Sequence, residues 1–127
     1  MKRLTTIITI VCIILILSFL GICQISNVSK TLGEKLDTVN EYIDTDKDNK
    51  LITNICENMI DEWDKRGNYI SMYVTHENID NIEEDLIALN SYCKLYQYDK
   101  AKITIDQLKF HLDHVYQSEL PLLKNIF

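Results

Sequence analysis

The sequence predicts an all-α protein: a single N-terminal transmembrane helix followed by a small antiparallel helical bundle of three to four helices. Three observations predict it. An uncharged, strongly apolar run opens the chain from Leu4 to Cys23. Beyond it, apolar residues recur at alternating intervals of three and four, the spacing that builds one stripe along a helix. The 127 residues include only 3 Gly and 1 Pro, so the residues that punctuate helices and build tight turns are almost absent.

The opening run reads LTTIITIVCIILILSFLGIC, and no charge follows until Lys30. At ~1.5 Å rise per residue it spans about 30 Å as a helix, the thickness of a bilayer's hydrocarbon core. A helix also pairs its backbone amides internally, as lipid requires. The only flanking charges are the amino terminus, Lys2 and Arg3. The positive-inside rule therefore places residues 1–3 in the cytoplasm, 4–24 in the bilayer and 25–127 outside the cell membrane. Two rival readings share the outline. A cleaved signal peptide has an apolar core of only ~7 to 15 residues and small residues at the cut; here Gly21, Ile22 and Cys23 are the sole candidates. A lipoprotein would be modified at Cys23, with bulky Ile22 where a small residue belongs. All three readings leave the remainder of the chain on the outer face.

Lys2 and Arg3 precede the apolar run, so the other eleven of the 13 basic residues stand against all 19 acidic ones beyond it. Nucleic-acid binding needs a concentrated positive face and is disfavoured, as is docking of this part on anionic lipid.

Four helical stretches follow from the spacing. Ile25, Val28, Leu32, Leu36, Val39 and Ile43 form the first stripe. Thr31 and Glu34 have capping-box spacing, so a helix either restarts at Thr31 or continues out of the membrane. The polar segment from Asp44 to Asn49 is a linker. A second helix is expected from about Lys50 to Arg66, with Ile52, Ile55, Cys56, Met59 and Trp63 inward, interrupted by Gly67 and Asn68. A third is expected from about Tyr69 to Tyr96, carrying Ile70, Tyr73, Ile79, Ile82, Leu86, Leu89, Cys93 and Tyr96. Asp99 is the expected cap for the fourth, with Ala101, Ile105, Leu108, Leu112, Val115 and Tyr116 inward and an end near Pro121. Short connections make consecutive helices antiparallel.

Candidate sites are few, and each has a plain structural alternative. His76 and Asp80 share a helical face, with Glu77, Glu83 and Glu84 close by. His76, Asp80 and Glu83 are the candidates for a divalent ion or a proton. One histidine with carboxylates falls short of a closed zinc set, and acids at a helix start also complement its dipole. No metal or other cofactor is therefore assigned. Asp44, Asp46 and Asp48 mimic half a calcium loop, but Asn49 stands where Gly is needed and Ile55 where a bidentate Glu is needed. A helix-capping linker fits better. Cys56 and Cys93 would be free to pair as a disulfide on the outer face, yet both lie on apolar stripes, where Cys acts as a small hydrophobe; two buried thiols are the favoured reading. His111 and His114, flanking Asp113, are read as surface residues. Trp63 and the seven tyrosines are expected mostly to fill the core. No phosphate loop, GxSxG elbow or HExxH motif occurs, so catalytic residues are not assigned.

The basic start and single anchor, Trp63, the run His76, Glu77, Asn78, Ile79, Asp80 opening a periodic helix, and the ending Leu122, Leu123, Lys124, Asn125, Ile126, Phe127 carry a likeness across nearly the whole chain. In these features the sequence resembles an uncharacterised family of clostridia and their relatives, domain of unknown function 4363. The resemblance implies a membrane-tethered outer-face protein without an assigned catalytic residue, sometimes encoded beside YetF-like multi-span membrane proteins. The resulting expectation is a non-enzymatic accessory or scaffold protein that contacts a membrane partner, anchored in lipid through residues 4–24. The alternative expectation is a sensor or ligand-binding module built on the acidic face around His76.

Overall fold

The computed structural model describes residues 1–45, 48–71 and 74–126, with backbone alone for residue 116 and residues 118–126. Four helices follow one another: α1 (Lys2–Asp44), α2 (Asn49–Ile70), α3 (His76–Lys94) and α4 (Tyr98–Ile126). The fold is all-α, with no strand among the described residues.

The first helix answers the question left open at Thr31. α1 runs unbroken for 43 residues, about 65 Å at the usual rise. Thr31 is not a cap: its hydroxyl donates back to the Asn27 carbonyl at 2.8 Å, because a continuing helix offers it no free amide. The two halves of α1 have opposite surroundings. In the first half Ile7, Ile14 and Phe19 are 58%, 55% and 65% exposed, whereas Leu32 and Leu36 in the second half are fully buried. Apolar residues cover the whole circumference of the first half but only one stripe of the second.

Each helix packs on its two neighbours, and the four close into a ring. Interhelical pairs set the register. Lys35 reaches Asn58 and Glu62 of α2, and Lys94 of α3 lies 3.2 Å from Glu57. His111 of α4 meets Asp85 of α3, while Lys102 and Lys109 of α4 meet Asp44 and Asp37 of α1. Rising numbers on α4 thus match falling numbers on α1, the antiparallel order that three short connections impose.

The predicted stripes supply the core. Leu32, Leu36 and Val39 of α1, Ile52, Cys56, Met59 and Trp63 of α2, Ile82, Leu86, Leu89 and Cys93 of α3, and Ala101, Ile105 and Leu108 of α4 are all buried. Full burial of each large aliphatic side chain contributes roughly 1.5–3 kcal/mol. Ile43 and Ile55, expected inward, are half-buried at the margin. Of the tyrosines, 42, 92 and 98 pack against the core, but Tyr69 and Tyr96 are exposed. Their phenol groups make it cheaper to leave the rings at a bundle end than to bury them without a partner.

Several boundaries differ from the sequence expectation. α2 continues through Gly67 and Asn68 to Ile70. A single helical Gly costs only about 1 kcal/mol relative to Ala, less than is gained by burying Ile70 two turns beyond Trp63. The third helix accordingly begins at His76 rather than near Tyr69; Ile70 belongs to α2, and Tyr73 lies outside the described residues. Asp99 falls inside the first turn of α4 instead of capping it, and the Gln97 carbonyl accepts the Ala101 amide at 3.0 Å. α4 also passes Pro121 and ends at Ile126. A proline near a helix end forfeits a single backbone bond, which shortens the ladder without stopping it.

The turn between α3 and α4 is closed by a residue of unusual type. Gln97 N–H donates to the Tyr92 carbonyl at 2.9 Å and Tyr96 N–H to the Cys93 carbonyl at 3.2 Å, the paired bonds of a Schellman motif. Tyr96 occupies the left-handed position with φ 58°, where glycine is usual. Asn49 at the start of α2 adds a second tie, its amide donating to the Cys93 carbonyl and the Tyr98 hydroxyl at 2.7 Å each. Replacing Tyr96 by Gly relieves a left-handed cost of about 1–2 kcal/mol, partly offset by greater freedom of the unfolded chain. Tyr96→Gly is expected to raise the melting temperature measured by circular dichroism; a fall would show that the ring, rather than the backbone, holds this turn.

Candidate functional site

Two kinds of feature stand out from the packed core: a buried thiol pair, and polar groups that tie neighbouring helices on the outside.

Cys56 of α2 and Cys93 of α3 face each other on adjacent stripes, with their sulfurs 4.0 Å apart and almost no exposure. All four cysteines are free thiols in this structure. The Cys56 thiol donates towards the Cys93 sulfur, which pushes Cys56 well above its ordinary pKa; burial adds in the same direction. Cys93, as the acceptor, is held below its ordinary value by the same contact. Both groups fill core space. Closed off from solvent, they lack the accessible electropositive surroundings that activate a thiolate.

Outside the core, Lys35 donates to Glu62 at 2.5 Å and to Asn58 at 2.6 Å, while Arg66 approaches Glu62 from the next turn at 3.4 Å. His111 was expected on the surface but is half-buried, its Nδ1 paired with the carboxylate of Asp85 across the α3–α4 seam. The neighbours Leu86 and Leu112 explain the placement, since each polar partner flanks an inward residue. His114 is exposed and stacks on Phe110, with ring centroids 6.2 Å apart. Lys35 and His111 join neighbouring helices, whereas the Arg66–Glu62 and His114–Phe110 contacts lie within one helix; Lys35, Asn58, Glu62 and Arg66 line an open, polar surface depression.

The residues singled out from the sequence do not assemble into a ligand set among the described residues. His76, Glu77 and Asp80 are exposed in the first turns of α3, and Glu83 is half-buried beside Trp63 and Leu86. Among the described residues, no group of three or more His, Cys, Asp or Glu side chains is placed to hold a metal ion. Asp48 caps α2 by accepting the Lys50 amide at 3.2 Å, and Asp44 pairs with Lys102, so the linker acts as a cap; Asp46 lies outside the described residues. Trp63 is fully inside, and its indole N–H has no hydrogen-bond partner. His76, Glu77 and Asp80 open α3, and Asn125 lies in the last turn of α4, so the topology brings them to one end of the bundle, the end nearest the apolar half of α1. Phe127 lies outside the described residues.

Sequence reasoning missed Asn49, Lys35 and the Asp85–His111 pair. The signal available was a polar residue next to an inward apolar one, a pattern too common to single out.

Comparison with known proteins places the chain without assigning it an activity. No curated protein and no solved structure matches it. A family model does, over residues 19–126, from the C-terminal end of the apolar run to the last turn of α4. The chain therefore belongs to the family described as Domain of unknown function (DUF4363).

Proposed function

We propose that this chain is a single-pass membrane protein whose helical bundle stands on the outer face and acts by contact, as a non-enzymatic accessory or scaffold subunit. The observation that carries this reading is the change along α1. The same helix exposes apolar side chains around its whole circumference up to Leu20, then buries a single stripe from Ile25 onward. It is the one helix among the described residues long and apolar enough to cross a membrane, and its apolar part is exposed where a core helix would be covered. In water so large an apolar surface favours association; in lipid it is solvated. Lys2 and Arg3 support an orientation with the N-terminus in the cytoplasm.

The remaining surface supports contact better than chemistry. His76 and Asp80 are exposed and converge with no third ligand among the described residues, so the sensor alternative gains no structural support. The partner expected is a multi-span membrane protein, whose lipid-embedded surface the anchor can reach within the bilayer.

Two measurements test this. Tyr96→Cys, in the exposed turn farthest from the anchor, is expected to react with a membrane-impermeant maleimide on intact cells; protection there but not in lysed cells would reverse the orientation. Purification from native membranes in mild detergent is expected to recover a stoichiometric multi-span protein. Recovery of a lone monomer would remove the scaffold reading.

A further inference from the structure

Helix register places a second part of the chain at the height of the membrane. Lys102 pairs with Asp44 and Lys109 with Asp37, so seven residues along α4 match seven residues back along α1. Continued at the same pitch, Leu122 comes level with Gln24 and Ile126 with Leu20, inside the stretch of α1 that is apolar on every side. α4 is long enough to reach this height: it has 29 residues against 19 in α3.

Two further observations point the same way. Gly21 is buried and Leu15 and Ser18 are half-covered, on the line that continues the buried stripe of Ile25 and Val28; the rest of α1 from Lys2 to Leu20 is exposed. α4 packs on α1 and is the described helix whose register runs on to that height, whereas α2 ends level with about Ile25. At the end of α2, Tyr69 is 67% exposed. By the register of Lys35 with Asn58 and Glu62, it stands level with about Ser26. That is about 3 Å beyond the end of the anchor, within a headgroup layer several Å deep, where tyrosine rings are favoured.

We infer that the bundle does not stand clear of the bilayer, and that the last turns of α4, with Leu122, Leu123 and Ile126, enter the outer lipid leaflet beside α1, while Tyr69 sits among the headgroups. The partner is the bilayer itself, met by apolar side chains rather than by charge. The one basic residue between positions 122 and 126 is a lysine, a type whose long stem can carry its charge to the interface from a shallow depth. This inference rests on the anchored reading of α1.

The experiment uses single-tryptophan variants of the full chain, reconstituted in phosphatidylcholine vesicles whose acyl chains carry bromine near the glycerol end. Native Trp63, buried in the bundle, serves as the unquenched reference. In a Trp63→Phe background, Ile126→Trp and Leu20→Trp report from the same height on α4 and α1. Burial of the α4 end in the leaflet lowers the Ile126→Trp emission by as large a factor as that of Leu20→Trp. Leu122→Trp gives an independent second reading should Ile126→Trp disturb the helix end. If both α4 probes shine as brightly as Trp63 while Leu20→Trp is quenched, the bundle stands off the membrane and the inference is overturned with the anchor intact. If Leu20→Trp is itself unquenched, the anchored reading fails and this inference fails with it.

Discussion

Ile10→Asp combined with Ile14→Asp is expected to take the chain out of the membrane fraction. Both positions lie near the middle of the apolar run, and both isoleucines are exposed on α1. Thirteen Leu, Ile, Val and Phe residues between Leu4 and Cys23 contribute about −0.3 to −0.6 kcal/mol each to insertion, roughly −4 to −8 kcal/mol together. Two central aspartates oppose this by about 5–7 kcal/mol, which cancels most or all of it. Fractionation of cells into membrane and soluble pools reads the result. Conservative Ile10→Leu with Ile14→Leu should leave the distribution unchanged. If the doubly charged variant stays quantitatively with the membrane after carbonate washing, the apolar run is not what holds the chain there.

Trp63→Ala is expected to produce the largest loss of bundle stability of any single truncation. Trp63 is 2% exposed and is the largest side chain in the core. Removing a buried aromatic typically costs 3–5 kcal/mol, a large share of the ~5–15 kcal/mol that holds a domain together. The indole N–H has no partner, so Trp63→Phe discards an unsatisfied donor together with some volume and should cost clearly less than Trp63→Ala. Thermal melts of the detergent-solubilised chain, followed by far-ultraviolet circular dichroism, compare the two. Equal losses would mean that the N–H is satisfied in solution, by water for instance, and that its loss carries its own penalty.

The helical class and the buried faces were legible because they depend on periodicity, which survives local irregularity. Leu32, Leu36, Leu86, Leu89 and Leu108 all lie where their spacing puts them, and all are buried. Helix ends were less legible because they depend on small differences between neighbouring terms. Gly67 reads as a stop when taken alone, yet Ile70 beyond it finds a buried place and draws the helix on. The α3–α4 turn carries no glycine at all; Tyr96 accepts the left-handed conformation because two backbone bonds close the turn and Asn49 ties it from outside. Pairs such as Asp85 with His111 join residues 26 apart, and the register that brings them together exists only once the helices are packed. The thiols were readable as core residues from their stripes, whereas their mutual contact was not, because it too belongs to the packing of α2 on α3.

The unbroken course of α1 makes a stiff rod of what a flexible linker would have decoupled. The helix runs through the boundary between the two halves without a hinge, so a tilt or rotation imposed on the first half is handed directly to the second. On the anchored reading proposed above, a protein that grips the rod within the bilayer would also steer the faces presented some 30 Å further along it.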